Sequence, residues 1–293
     1  AVPQSETMAV LDKALQMHPT VNVRRNTEMV ALESRTDNVR LVTKDHGSGR
    51  QRTVAVRWLV GCDGCDSSTR KQAGIAFSRQ SYSPAFVMAD YADTTGWGKA
   101  AHLFFTAAGS LESFPLPKQR RRWVALVTSR QESRTDGDFL EEQIQRFSGQ
   151  RVAGQRTSRV FRFVPEHLET EPFGKGRILL AGDAAHVISP IGGQGMNTGF
   201  ADAEFLGRIL PELIRSDVPA DTRVAAYTAC RRRAARAARR RAAAGMWIGT
   251  RTGRFQSAMR SALFHWLLFR WPLVHYLPEH FAMLTIPCRR YAE

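Results

Sequence analysis

The sequence predicts an α/β chain. A doubly wound, Rossmann-like domain is interrupted by an antiparallel sheet and followed by a helical C-terminal region. Three observations predict it. Two segments far apart, Trp58 to Arg70 and Gly176 to Asn197, each read as a buried strand that runs into an acid, a glycine and a helix. Between them lie short aromatic and β-branched runs separated by Gly, Pro and charged turns. After them comes a stretch of alanine and arginine, both strong helix formers.

Residues 1–78 are expected to hold a helix from about Glu6 to Gln16 and strands around Val21–Val23, Thr27–Arg35, Val39–Lys44 and Gln51–Val60. Asp45-His-Gly-Ser-Gly has the composition of a hairpin turn. Trp58-Leu-Val-Gly-Cys then leads to Asp63 and Gly64, with Ser67 as a helix cap and Arg70 as a cation inside the helix. Residues 79–172 change character: Phe86–Tyr91, Ala101–Thr106, Ser110–Pro115 and Arg122–Thr128 read as short strands of an antiparallel sheet. Asp138–Phe147 reads as a helix.

Residues 173–215 return to the first pattern. Ile178, Leu179, Leu180 and Ala181 form a short apolar run suited to a strand buried on both faces. Gly182 permits a sharp exit, and Asp183 falls at the carboxyl end of the strand, where open α/β sheets place ligands. Ala184 and Ala185 allow close approach. Gly192, Gly193 and Gly195 clear side chains from backbone N–H groups. From Met196 the spacing turns helical, with Met196, Phe200, Ala203, Leu206, Leu210 and Leu213 on one stripe and Asn197 as the N-cap. The positive end of that helix dipole would favour an anion at the loop.

Residues 216–293 form the C-terminal helical region. Arg231, Arg232, Arg233, Arg236, Arg239, Arg240 and Arg241 alternate with alanines and read as the wet face of a long basic helix. The run from Phe264 to Val274 is aromatic and apolar but too short to span a bilayer. Core packing is the expectation for it, with peripheral membrane contact as the alternative. The net charge of +15 favours an anionic surface more than nucleic acid, because base-reading context is missing. Four cysteines do not make a disulfide scaffold. Cys62 and Cys65 lack the second ligand pair that zinc needs and read as small buried residues flanking a turn. The expected location is cytoplasmic, with a membrane-peripheral one left open.

The two acid-and-glycine segments together resemble the single-component FAD-dependent aromatic hydroxylases, the class A flavoprotein monooxygenases. The Asp-Gly motif is matched at Asp63, Gly64, Ser67 and Arg70. The Gly-Asp motif is matched at Gly182, Asp183, Ala184, Ala185, His186, Pro190, Gly193, Gln194, Gly195, Met196, Asn197 and Gly199. Pro3-Gln4-Ser5-Glu6 resembles the segment that opens a helix near the flavin in polyketide and phenylpropionate hydroxylases. The resemblance covers residues 1 to about 235.

It implies a chemistry. NAD(P)H reduces FAD, the reduced flavin takes up molecular oxygen, and a C4a-hydroperoxide delivers one oxygen atom to an aromatic or related hydrophobic substrate. Asp183 would bind the ribityl chain, and Asp63 with Gly64 would lie near the polyphosphate and the NAD(P)H path. Arg70 would bear on NAD(P)H, and Pro190 would flank the isoalloxazine ring. The backbone of Gly195, Met196 and Asn197 would face the pyrimidine edge. His186 is read as structural or flavin-adjacent and not as a general base. Residues 79–172 would be the substrate domain, inserted between the two parts of the FAD domain. Phe104, Phe105, Phe114, Trp123 and Leu126 are equally good as pocket walls and as core.

One departure stands out. The family opens with a βαβ unit carrying Gly-x-Gly-x-x-Gly, which holds the FAD pyrophosphate on a helix N-terminus, and no such motif occurs here. The expectation is a missing N-terminal βαβαβ half-domain and a chain inactive by itself. The alternatives are a flavin-dependent reductase or halogenase of the same fold, or a non-catalytic remnant. The Trp-x-Trp-x-Ile-Pro segment of the halogenases is absent.

Overall fold

The computed structural model describes residues 2–128, 136–190, 193–215 and 220–268. From the N-terminus, α1 (Gln4–Gln16) precedes β1 (Thr27–Ser34), β2 (Val39–Asp45) and β3 (Gln51–Val56). Next come β4 (Leu59–Gly61), α2 (Ser68–Gln72) and β5 (Ala76–Ser81). The middle of the chain holds β6 (Ala85–Ala92), β7 (His102–Thr106), β8 (Gly109–Leu116), β9 (Arg120–Val127), α3 (Gly137–Ser148) and β10 (Phe161–Phe163). Then follow β11 (Glu166–Glu171), β12 (Gly174–Lys175), β13 (Ile178–Leu180) and β14 (His186–Val187). Three helices close the described chain: α4 (Gln194–Arg215), α5 (Ala220–Thr250) and α6 (Arg254–Leu263).

The contacts divide these elements into two compact units. One takes residues 24–81 and 166–246, and the other takes residues 2–23, 82–165 and 247–268. The first 23 residues therefore group with the middle of the chain, whereas 1–78 was expected as one piece. The last helical segment divides near residue 246.

The second of these units is built on a five-stranded antiparallel sheet of order β10-β6-β9-β8-β7. Its strands alternate, so one face carries Val87, Ala89, Leu111, Trp123 and Ala125 against Phe139, Leu140 and Ile144 of α3. α3 starts where Asp136 Oδ1 accepts the Phe139 N–H at 2.9 Å. It stops at Gly149, whose φ of 73° makes the left-handed C-cap.

The other unit is built on β13, flanked by β12 on one side and by β4 on the other. β13 and β4 run parallel, with Leu180 opposite Gly61. Leu179, Leu180, Phe173, Phe205, Leu206, Ile209, Leu213 and Tyr227 form its core. α5 lays Ala234, Ala235, Ala238 and Ala242 inward, and the buried Tyr227 hydroxyl donates to the Leu180 carbonyl at 2.7 Å. The two remaining sheets are small. β1, β2 and β3 form a meander turned by Asp45, whose Oδ1 accepts the Ser48 N–H at 2.7 Å. β11 pairs with β5 and β14.

Four expectations need correction. The Gln51–Val60 strand is two strands broken at Arg57 and Trp58, because β3 joins the antiparallel meander and β4 the parallel pair. Val21–Val23 form no strand. α4 begins at Gln194, so Asn197 lies within its first turn and caps nothing. Its buried face is Gln194, Thr198, Asp202, Phe205, Leu206, Ile209 and Leu213, while Met196 and Phe200 are exposed. The apolar spacing misplaces that face because the inward positions of the first two turns are polar.

The basic helix is also less wet than expected. Arg231 is 1% exposed. Arg232 pairs with Glu169 and Glu171, and Arg236 with Glu169. Asp202 of α4 draws Arg231 inward, and the acids of β11 engage Arg232 and the exposed Arg236 nearer the surface. Of the Phe264–Val274 run, only Phe264–Leu268, one π-helical turn, lies within the described residues.

Gly61 ends β4 with no room for a side chain: a Cβ there would lie 2.8 Å from Thr69 Cβ and 2.9 Å from Leu180 Cδ2. Gly61→Ala is expected to destabilise this unit by about 1–3 kcal/mol through overpacking. A urea midpoint that does not move would show that the β4 end tolerates a side chain.

Candidate functional site

Parallel pairing brings the carboxyl ends of β4 and β13 side by side. Ala181 N–H donates to the Gly61 carbonyl at 3.0 Å, just before both strands turn. The Asp63 and Asp183 corners therefore belong to one unit and open at one end of one strand pair.

The Asp63 corner is closed by its own helix. Asp63 Oδ1 accepts from Ser67 Oγ at 2.5 Å, and Oδ2 accepts the Thr69 N–H at 2.9 Å. Ser67 Oγ in turn accepts the Arg70 N–H at 2.9 Å, which caps α2 as the sequence suggests. Burial pushes the Asp63 carboxyl up, but the Ser67 and Thr69 hydrogen bonds outweigh it and hold the group below the ordinary aspartate value. Gly64 has a φ of 79°, which its missing side chain permits. Cys62 is exposed and Cys65 half-buried, both as free thiols, so the expectation of two buried cysteines fails at Cys62.

Arg70 ties the two corners together. It is 1% exposed. Its Nη1 donates to the Ala184 carbonyl at 2.9 Å and its Nη2 to the Cys65 carbonyl at 2.7 Å. The guanidinium also lies 4.3 Å from the Phe77 ring centroid. The side chain is buried with both Nη atoms engaged, so the geometry makes it a rivet between the corners.

The Asp183 corner is held from beneath. Gly182 has a φ of 58°, and its N–H donates to Asp202 Oδ2 at 2.9 Å. A Cβ on Gly199 of α4 would come within 3.3 Å of Gly182 Cα, so the helix backbone approaches the turn closely. Asp202 is fully buried. It also meets His186 Nε2 at 2.6 Å and Arg231 Nε at 2.6 Å. His186 stacks on Phe173 with ring centroids 5.7 Å apart. This buried arrangement gives His186 a structural place. Burial pushes the Asp202 carboxyl up, but His186, Arg231 and the Gly182 N–H together hold it below the ordinary aspartate value.

Asp183 itself is different. It is exposed, and among the described residues no hydrogen bond or ion pair engages its carboxylate. Neighbouring protein atoms desolvate the group enough to raise its pKa, with His186 pulling the other way. Pro190, Gly193, Met196 and Asn197, at and just before the start of the 22-residue α4, are exposed as well. A Cβ on Gly193 would meet nothing within 4 Å, and one on Gly195 would meet only the Ile188 carbonyl oxygen at 3.7 Å. Gly192 lies outside the described residues. A free carboxylate beside open backbone at a helix N-terminus suits a polyol together with a delocalised anion. The ribityl chain and flavin ring of FAD have that chemical character. The fingerprint that would cradle its pyrophosphate is not in these residues.

Sequence reasoning missed Asp202 and Arg231. The available signal was an aspartate on what proves to be the inward stripe of α4, sixteen residues after His186.

Comparison with known proteins bears on the family and the fold. The FAD binding domain family matches residues 1–242. An uncharacterized aromatic compound monooxygenase of Bacillus subtilis is 31% identical over 222 residues, 74% of this chain and 44% of that protein. The anhydrotetracycline hydroxylase OxyS from Streptomyces rimosus superposes with a TM-score of 0.74 at 27% identity, over 99% of this chain and 58% of its own. The Diels-Alderase PyrE3 of pyrroindomycin biosynthesis gives a TM-score of 0.74 at 26% identity, over 93% and 58%. The chain thus spans about half the length of these relatives.

Asp202→Asn is expected to cost about 3–5 kcal/mol at neutral pH, because it leaves Arg231 buried without its counter-charge. The wild-type contribution is present above the ordinary aspartate pKa of about 4 and is lost as pH falls through the depressed folded value. Urea unfolding across pH 2–7 checks both points. An acid limb of the same slope in wild type and variant would remove Asp202 from this role.

Proposed function

This chain belongs to the FAD binding domain family, and we propose that it is part of an FAD- and NAD(P)H-dependent monooxygenase acting on an aromatic or related hydrophobic small molecule. The observation that carries the reading is the unpartnered Asp183 carboxylate beside the glycine-cleared start of α4, in register with the Asp63 corner. When bound, the flavin would supply the redox chemistry that, with two electrons from NAD(P)H, places one atom of molecular oxygen on the substrate and releases the other as water.

The residues of this chain then have distinct tasks. Asp183 accepts hydrogen bonds from the ribityl hydroxyls. Backbone N–H groups at Gly195, Met196 and Asn197, with the positive end of α4, stabilise the negative charge of the reduced pyrimidine edge. Gly193 and Pro190 leave space for the ring. Gly64 presents bare backbone toward the polyphosphate, and Asp63 holds that turn through Ser67 and Thr69. Arg70 keeps the two corners in register. The antiparallel sheet of the other unit serves the substrate.

The test uses the complete gene product. Yellow protein that releases FAD on denaturation, consumes NAD(P)H faster with an aromatic probe and adds one oxygen atom to it supports the reading. Bound flavin without oxygen insertion supports instead a non-oxygenating role, as the name of the Diels-Alderase relative suggests. Colourless protein overturns both. Asp183→Ala is expected to weaken FAD binding about 10- to 100-fold, the loss of charge-assisted hydrogen bonds of about 1.5–3 kcal/mol. An unchanged FAD dissociation constant would remove Asp183 from the site.

A further inference from the structure

Glu112 is a nearly buried acid of the sheet unit. It sits in the middle of β8 and is only 8% exposed. None of the described residues gives its carboxyl a hydrogen bond or an ion pair. Burial alone raises its pKa, to about 7. A buried carboxyl without a partner is costly and uncommon, and evolution had apolar residues of similar size to hand.

The register shows what surrounds it. Leu111, its neighbour in sequence, faces the core under α3, so Glu112 faces the opposite side with Ser110 and Phe114. Across the strands, Glu112 lies opposite Leu103 of β7 and Val124 of β9. Val124 lies opposite Met88 of β6, and Met88 opposite Phe161 of β10. Glu112 is thus the one polar member of a five-strand row of apolar side chains. The end members of that row, Leu103 and Phe161, are 50% and 56% exposed. The adjacent row holds Phe114, Arg122 and Asp90. There Arg122 Nε meets Asp90 Oδ1 at 2.7 Å, so those charges satisfy each other and leave Glu112 alone.

An apolar surface with one unsatisfied polar group is the composition of a small-molecule site, in which the polar group fixes orientation. We propose that Glu112 is a specificity-determining residue that hydrogen-bonds a hydroxyl of an otherwise apolar aromatic ligand lying on this face of the sheet. This rests on the reading of the protein as a monooxygenase of aromatic compounds. An ionised Glu112 accepts the hydroxyl proton in a hydrogen bond, and a protonated one donates to the hydroxyl oxygen. Either way the buried carboxyl gains the partner it lacks.

The probes are 1-naphthol and naphthalene, which differ by that one hydroxyl. Their dissociation constants are measured on the complete gene product by quenching of tryptophan fluorescence, for wild type, Glu112→Gln and Glu112→Leu. Wild type is expected to prefer 1-naphthol about tenfold, the worth of one buried hydrogen bond. Glu112→Leu is expected to bring the ratio to about one while naphthalene binding persists, and Glu112→Gln to keep part of the preference. A wild-type ratio of one, an absence of binding, or a ratio unchanged in Glu112→Leu overturns the proposal. Glu112→Gln, nearly isosteric, carries the test if the leucine variant does not fold. Flavin content is read in the same samples. Colourless protein that still shows the Glu112-dependent preference defeats the monooxygenase reading alone, and yellow protein without it defeats this inference alone.

Discussion

The site depends on one buried carboxylate. Asp202 lies inside α4 with no solvent to stabilise its charge, so its lone pairs must be met by protein donors. Three sequence regions meet it: the Gly182 N–H of the turn after β13, His186 just beyond that turn, and Arg231 of α5. A carboxylate with three donors at 2.6–2.9 Å fixes their mutual placement far better than apolar contact does. Gly182 is pinned by its backbone, so the next side chain in the chain, Asp183, is delivered outward. The same bond explains His186. Its Nε2 faces Asp202 at 2.6 Å inside the core, which places it as a strut under the turn and away from proton transfer with a ligand.

How much of this is legible in sequence follows from what kind of interaction each part rests on. The two corners are legible because they are local: a short apolar run, an acid, a glycine and a cap lie within about a dozen residues of each other. The antiparallel sheet and α3 are legible for the same reason, since alternation and turn residues repeat over short windows. Asp202 and Arg231 are not. Each satisfies the other across 29 residues, and in isolation one reads as a polar interruption of a helix and the other as part of a wet basic run. The phase error in α4 has the same origin. Met196 and Phe200 look like core by composition, but the inward positions beside them carry Gln194, Thr198 and Asp202.

The strong positive charge of the chain takes on a different meaning once the arginines are placed. Arg231 neutralises Asp202, and Arg232 with Arg236 neutralises the acids of β11. Arg70 and Arg260 are buried and donate to backbone carbonyls. Some of the arginines therefore serve internal hydrogen bonding, for which the five-donor guanidinium is well suited. No described helix is long and apolar enough to cross a membrane. What remains outward on α5, including Arg233 and Arg240, is ordinary surface charge.

Asp63 and Asp183 differ in how the protein engages their oxygens. Both stand just past the carboxyl end of a strand, and a pattern search treats them alike. Asp63 has its oxygens taken by Ser67 and Thr69, and its pKa falls accordingly. Asp183 has none of that help, and its pKa rises. Proteins leave few polar groups short of partners, because each one costs free energy that folding must offset elsewhere. Asp183 on the strand pair and Glu112 on the antiparallel sheet are two carboxyls that no described residue engages, one in each unit of the chain. One is set beside bare backbone and a helix N-terminus, the other among aliphatic and aromatic side chains. The chemistry each lacks is the chemistry a flavin and its aromatic partner would respectively bring.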